Sequence, residues 1–314
     1  MKKVIVAGAN GFIGKHVSRL MKSNGWEVIG IGHGKIATED YSLHGIDNWY
    51  NDDVNYKNIY KIIEHHGEPD CIMQMAGSGS VRFSFDHPAE DYWKTVNTTL
   101  GILEAVRKHS PNCKIVYPSS AAVYGDSLPV PISEKNALNP ISPYGSHKRI
   151  AEALCENYGN YFGVKSVIGR IFSVYGDGLQ KQIIWDICCK LNSKSPTVEL
   201  YGTGEEERDF LHVNDTARAL VSLIPIATKE VPKLNIASGT SIPIKELAEL
   251  VRIAFGVNKK IVFNQIKLPG DPGKWKANVT PLVDYTNFKV ERLIKDGILS
   301  YVSWFKSING MVTK

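Results

Sequence analysis

Cysteine is scarce in this sequence and shows no paired pattern. Five occur, Cys71, Cys113, Cys155, Cys188 and Cys189, with neither CxxC nor His/Cys spacing, which argues against a metal site. Most lie in apolar stretches, where a free thiol acts as a small hydrophobe, so reduced core cysteines are expected. No segment approaches the roughly 20 apolar residues that span a bilayer. The first apolar run, Val4 to Ala7, is too short for a signal peptide and opens into glycines. A cytoplasmic protein without membrane insertion is expected. Basic runs are missing too: 37 basic and 32 acidic residues leave a net charge of +5, spread along the chain. That excludes a nucleic-acid groove as the first reading and suits a phosphorylated small molecule. Repeats and low-complexity tracts are absent. What is present is an ordinary globular composition, 43% hydrophobic and 22% charged over 314 residues, enough for one large or two smaller domains.

The first half alternates short β-branched runs with longer amphipathic ones. Strands are predicted at Val4–Ala7, Glu27–Ile31, Cys71–Met75, Lys114–Tyr117 and Val164–Phe172, with helices at Phe12–Ser23, Ile59–His65, Tyr92–His109 and Tyr144–Phe162. Such alternation implies a parallel sheet with helices on both faces and ligands at the C-terminal strand edge. The fold class expected is α/β, a Rossmann-type doubly wound sheet over residues 1–172. A smaller α/β substrate-binding lobe is expected over 173–314, with elements around 210–238 returning to the first domain. In that half, helices are predicted at Leu179–Leu191, Asp215–Ile226 and Ile244–Phe255, and strands at Val198–Leu200 and Leu234–Ala237.

The first strand runs into Gly8-Ala9-Asn10-Gly11-Phe12-Ile13-Gly14 and then a helix. Gly8 would allow a tight turn, Gly11 would let backbone N–H groups approach a pyrophosphate, and Gly14 would let the helix pack close to the sheet. The helix N-terminus adds partial positive charge. A dinucleotide site is therefore expected at Gly8, Asn10, Gly11, Phe12, Ile13 and Gly14. Further along, Tyr144-Gly145-Ser146-His147-Lys148 places Tyr144 and Lys148 four apart, on one helix face. A tyrosine is a poor base at neutral pH, with a pKa near 10. A neighbouring ammonium and the positive ring of an oxidised nicotinamide stabilise its phenolate. Tyr144 could then move a proton as hydride leaves or returns to carbon.

The GxxGxxG spacing, the run Pro118-Ser119-Ser120-Ala121-Ala122-Val123-Tyr124-Gly125 and the Tyr–Lys helix introduced by Ser142-Pro143 together resemble the extended short-chain dehydrogenase/reductase superfamily, its nucleotide-sugar epimerases and dehydratases. The resemblance covers nearly the whole chain. It implies Ser120 as the hydroxyl that bonds the reacting oxygen, with Ser119 the alternative, and Lys148 as an anchor for the nicotinamide ribose. It implies cofactor contacts at Asp53 and Val54 near the adenine, unless Asp53 is a solvated loop acid, and at Met75, Ala76 and Gly77. Gly79-Ser80-Val81-Arg82-Phe83-Ser84 and Val96-Asn97 look like the loop and helix around the substrate, with Ser80, Val81 and Arg82 as its substrate contacts. Arg170-Ile171-Phe172-Ser173-Val174-Tyr175-Gly176 resembles R-x-F-N-V-Y-G, with Ser173 where Asn is usual. Arg208 opens an R-D-F segment and implies a diphosphate contact, for which its fork is suited. Pro269-Gly270-Asp271 resembles the loop beneath the base.

At the end of the second strand Gly32 stands where NAD enzymes of the family carry Asp, and His33 and Lys35 follow. NADP is favoured on that ground, with NAD the alternative. The dehydratases of the family place an acidic pair after the catalytic Ser or Thr; here Ala121-Ala122 stand there, and the decarboxylase Glu is missing as well. Dehydration and decarboxylation are disfavoured. Hydride chemistry at a sugar carbinol remains, as a nucleotide-sugar 4-epimerase or a 4-keto-sugar reductase; the alternative is a non-catalytic dinucleotide-sensing or protein-binding member. The resemblance also implies a homodimer through Tyr92–His109 and Tyr144–Phe162.

Overall fold

The computed structural model of the chain describes residues 1–126 and 129–310. Seven strands form its main sheet: β1 (Lys3–Ala7), β2 (Glu27–Gly32), β3 (Asn48–Asn51), β4 (Cys71–Gln74), β5 (Lys114–Ser120), β6 (Lys165–Ile171) and, from much later in the chain, β10 (Lys233–Ile236). Their spatial order is β3-β2-β1-β4-β5-β6-β10, and every pairing is parallel. A parallel sheet covered on both faces needs apolar side chains in both directions, which is why these strands are near-continuous hydrophobic runs. Val4 and Val6 point into one layer, Ile5 and Ala7 into the other. The first layer is closed by the Phe12–Ser23 and Val213–Ser222 helices through Val17, Met21, Ala217 and Leu220. The second is closed by the Tyr56–His66, Thr98–His109 and Pro143–Phe162 helices through Ile59, Ile62, Ile102, Val106, Ala151 and Cys155. Each such Ile or Val stabilises the fold by about 1.5–3 kcal/mol before entropy is counted.

Beyond Phe172 the chain builds a second layer of structure. Strand β7 (Ser173–Tyr175) pairs with β9 (Glu207–His212), and β9 with β11 (Ser241–Pro243); β8 (Thr197–Leu200) pairs with β12 (Lys260–Phe263). The Gln182–Asn192, Ile244–Phe255 and Ile294–Ile308 helices surround Ile187, Leu247, Val251, Tyr301 and Phe305. Because β7 starts where β6 ends, this lobe stands at the C-terminal edge of the main sheet. All five cysteines are free; four are buried and Cys189 is exposed.

One predicted helix has a feature the sequence does not show. Tyr92–His109 is helical throughout, but it continues an unbroken run from Pro88 and carries a π-helical turn at Trp93–Asn97 between the Pro88–Tyr92 and Thr98–His109 segments. A reading at 3.6 residues per turn cannot see one wide turn, which resets the facing of what precedes it. Thr95 and Val96 consequently point inward while Trp93 is exposed.

Candidate active site

The strand order reverses direction between β1 and β4, so the crevice opens at the C-terminal ends of those two strands. The glycine loop lies in it. Gly8 has a φ of +84°, and a Cβ there would sit 2.6 Å from the Ala76 nitrogen; a Cβ on Gly14 would sit 2.0 Å from the Gly8 carbonyl. These two positions therefore exclude any side chain. The helix that follows begins at Gly11 with no side-chain cap and no acidic residue in its first turn. The amides of Phe12, Ile13 and Gly14 are left for an anion. Asn10 does not face the crevice alone: its amide donates to the His33 carbonyl at 3.0 Å, tying the loop to the end of β2. An uncapped N-terminus behind a glycine turn fits a dinucleotide pyrophosphate.

At the far rim, Gly34 N–H donates to Asn51 and Trp49 Nε1 donates to the Gly34 carbonyl, each at 3.0 Å. His33 and Asp53 are drawn to each other at 2.7 Å, both well exposed. Val54 packs against the core beside them, and Lys35 is exposed.

The chemistry-bearing side chains come together around the end of β5. Ser120 is the last residue of the strand; its Oγ accepts from Ala122 N at 3.2 Å, and its hydroxyl faces the Tyr144 phenol closely enough to favour the phenolate. Tyr144 lies in the first turn of the Pro143–Phe162 helix, which starts because Ser142 caps it, accepting from Gly145 N at 3.1 Å. Pro143 is at the first helical position, where its missing N–H costs nothing. Gly145 is required by close approach: a Cβ there would be 2.5 Å from the Ala122 carbonyl. Tyr144 N donates to Ser84 Oγ at 3.0 Å, which brings the Val81–Asp86 helix onto the site. Lys148, one turn on, is only 6% exposed. Its Nζ donates to the Pro118 carbonyl at 2.9 Å and lies 5.9 Å from the Tyr144 ring centre. Gly77 faces it across the crevice, where a Cβ would come within 4.0 Å of Nζ.

Burial pushes the Tyr144 phenol up to about 12, with the Ser120 hydrogen bond opposing and Asp91 adding to the rise. Burial pulls Lys148 down to about 8, opposed by Asp91 and Glu152. The protein alone therefore does not lower Tyr144, contrary to the simple expectation from a Tyr–Lys neighbour. Desolvation outweighs the hydrogen bond, and the phenolate must draw on charge brought into the site. Ser119 is buried at 2%, with its hydroxyl unpartnered; it is Ser120 that meets Tyr144. Ala121 and Ala122 are both buried, so that turn carries no acid or base.

The remaining predicted residues lie around this centre. Ser80 caps the Val81–Asp86 helix, accepting from Phe83 N at 3.2 Å. Val81 packs beneath Gly270, where a Cβ would be 2.8 Å from its Cγ1, so the Pro269–Asp271 turn closes on the same loop. Arg82 is exposed and Ser173, on β7, half-buried. Arg208, on β9, donates to the Glu207 and Gly273 carbonyls at 2.9 and 3.3 Å, lies 5.7 Å over the Trp275 ring, and has Asp271 at 3.7 Å. Ser120, Tyr144, Lys148 and Gly77 thus form one cluster, His33, Lys35, Asp53 and Val54 a second one at the β2–β3 end, and Arg208 stands on the other lobe. Sequence reasoning placed Ser84 in the loop segment without a role, and missed Asp91, His147 and Lys181, whose Nζ reaches the Gly79 carbonyl at 3.3 Å. His147 lies inside the Tyr–Lys segment, which was the available signal; the others are joined only by tertiary packing. Among the described residues no group of three or more His, Cys, Asp or Glu could hold a metal ion, and no helix is long and apolar enough to cross a membrane.

Comparison with known proteins matches residues 4–237 to the family model described as the NAD dependent epimerase/dehydratase family. A Methanocaldococcus jannaschii protein, provisionally named a UDP-glucose 4-epimerase, is 28% identical over 98% of this chain and 99% of its own length. The solved structure of MoeE5 in complex with UDP-glucose and NAD is 26% identical, with a TM-score of 0.86 over 98% of this chain and 99% of that one. The UDP-glucose 4-epimerase of Thermotoga maritima, solved with UDP-glucose, shares the fold at a TM-score of 0.88 and 24% identity, over 98% of this chain and 99% of that one.

Proposed function

The chain belongs to the NAD dependent epimerase/dehydratase family, and within it we propose that this member is a UDP-sugar 4-epimerase, with 4-keto-sugar reduction as the competing outcome. The observation that carries the reading is the placement of Ser120 and Tyr144 together beside the buried Lys148, followed by the buried pair Ala121-Ala122. That set can move one proton at a carbinol oxygen, and nothing in the turn can eliminate water. Ser120 would hold the C4 oxygen, Tyr144 would take its proton and return it, and Lys148 would anchor the ribose of the cofactor. The nicotinamide, when bound, supplies the hydride acceptor and the positive charge that the Tyr144 phenolate requires. Gly8, Asn10, Gly11, Phe12, Ile13, Gly14, Asp53, Val54, Met75, Ala76 and Gly77 would line the dinucleotide. Ser80, Val81, Arg82 and Ser173 would line the sugar and its phosphates, with the Arg208 guanidinium on the diphosphate.

For the cofactor, the empty place at Gly32 and the exposed Lys35 suit an NADP 2′-phosphate, whereas the Asp53 carboxylate lies 2.7 Å from His33 and would repel a phosphate there. MoeE5 was solved with NAD. The reading favoured is NAD, against the expectation of NADP. A homodimer is proposed through the Thr98–His109 and Pro143–Phe162 helices, where Leu100, Ile150, Tyr161 and Phe162 are exposed; light scattering of the purified chain tests it. The function is tested by incubating the chain with UDP-glucose and with UDP-N-acetylglucosamine, then resolving the C4 epimers by NMR. Interconversion without added dinucleotide supports the epimerase. Stoichiometric loss of 340-nm absorbance with a 4-keto sugar, and no interconversion, would replace it by the reductase.

A further inference from the structure

Asp91 lies in the last turn of the short Pro88–Tyr92 helix, before the π-helical turn, and is fully buried. One carboxylate oxygen lies 2.6 Å from His147 Nδ1; the other is buried with no hydrogen-bond partner. His147 is held in turn by Tyr92, whose ring meets it edge-on with centroids 5.4 Å apart. Since His147 lies between Tyr144 and Lys148 on the catalytic helix, this carboxylate is fastened to the same turn that carries the chemistry. A buried acid left with a bare oxygen is costly unless its charge is used.

The groups facing Lys148 show where that charge acts. Its Nζ meets the Pro118 carbonyl and the rings of Tyr117 and Tyr144. Cys155 bears on it from the same helix, but burial pushes that thiol far up, so it is neutral. Two carboxylates remain, Asp91 and Glu152. Glu152 is already committed to the buried Arg170, which donates to both its oxygens at 3.0 and 2.8 Å. Of the two, only Asp91 is without a guanidinium partner.

We propose that Asp91, fixed by His147, is a positioning residue for the Tyr144–Lys148 centre, its carboxylate supplying the counter-charge that keeps the buried Lys148 an ammonium. The inference rests on the reading of Lys148 as the cofactor anchor. Asp91 opposes the desolvation of Lys148 and also raises Tyr144, so its removal moves both ionisations to lower pH together. A residue that merely braces the helix would leave them in place.

The test is the pH dependence of NAD affinity, followed by fluorescence quenching on the full chain. Affinity of the unmodified protein should fall as pH rises through about 8. In Asp91→Asn the break should move to lower pH by about half a unit or more. His147→Ala, which frees the carboxylate, should move it the same way, and His147→Gln, which can still donate to Asp91, should restore it. A uniform loss of affinity with an unmoved break overturns the inference. If Asp91→Asn does not fold, the His147 pair decides: an unmoved break in His147→Ala overturns it equally. No sugar is needed for this titration. A protein that binds NAD with the displaced break but converts no UDP-sugar would keep this inference and lose the proposed function.

Discussion

Lys148 donates a hydrogen bond to the Pro118 carbonyl at 2.9 Å, which fastens the catalytic helix to β5 two residues before Ser120. The bond holds the ammonium in a dry place, and burial there pulls its pKa down to about 8. A lysine is charged below its pKa, so the charge is present at neutral pH and lost as pH rises through about 8. Turnover should therefore fall on the alkaline side of that value, well before an exposed lysine would titrate. Lys148→Met should lack this alkaline limb; a wild-type profile flat to pH 10 would refute the assignment.

Tyr144→Phe removes the proton acceptor and leaves the helix, its cap and the glycine loop intact. Turnover should drop by about 10²–10⁴-fold, with dinucleotide affinity changed far less. Equal loss of both would mean that the ring serves the fold and not the proton.

The two adjacent serines separate cleanly. Ser120→Ala deletes the one hydrogen bond that opposes the burial of Tyr144 and should cost roughly 10²-fold or more in kcat. Ser119→Ala deletes a hydroxyl that has no partner and should leave kcat within about 3-fold, because no pairing is lost. Steady-state kinetics on the two variants, side by side, checks the order.

Arg170 is buried at 1% exposure and bonded to Glu152, the Tyr124 hydroxyl and the Glu134 carbonyl. Arg170→Met strands the Glu152 carboxylate and should destabilise the protein by about 3–5 kcal/mol in urea unfolding. Adding Glu152→Met should recover part of that loss, since the stranded charge is then gone.

Much of the first half, and some of the second, was legible because each signal there is local. The Phe12–Ser23 and Ile244–Phe255 helices have the predicted bounds, since amphipathic period and flanking glycines lie within the segments themselves. Within the Tyr92–His109 helix the π-turn was not legible, because it leaves the apolar composition unchanged and alters only the phase. Strands β7, β9 and β11, with three to six residues each, carry too few positions for alternation to register.

The sequence by itself determined the parallel sheet, the glycine loop at its edge and the Tyr144–Lys148 face, because each is encoded by spacing within one or two elements. Only the tertiary structure decided that Ser120 and not Ser119 meets Tyr144, that Lys148 hangs on Pro118, and that Asp91 is locked onto His147. It likewise decided that Asp53 lies against His33. Those are relations between residues 20 to 56 positions apart, and the charge of a group such as Lys148 depends on how deeply packing buries it. Spacing along a chain carries no measure of burial, so charge and reach at this site are properties of the folded molecule.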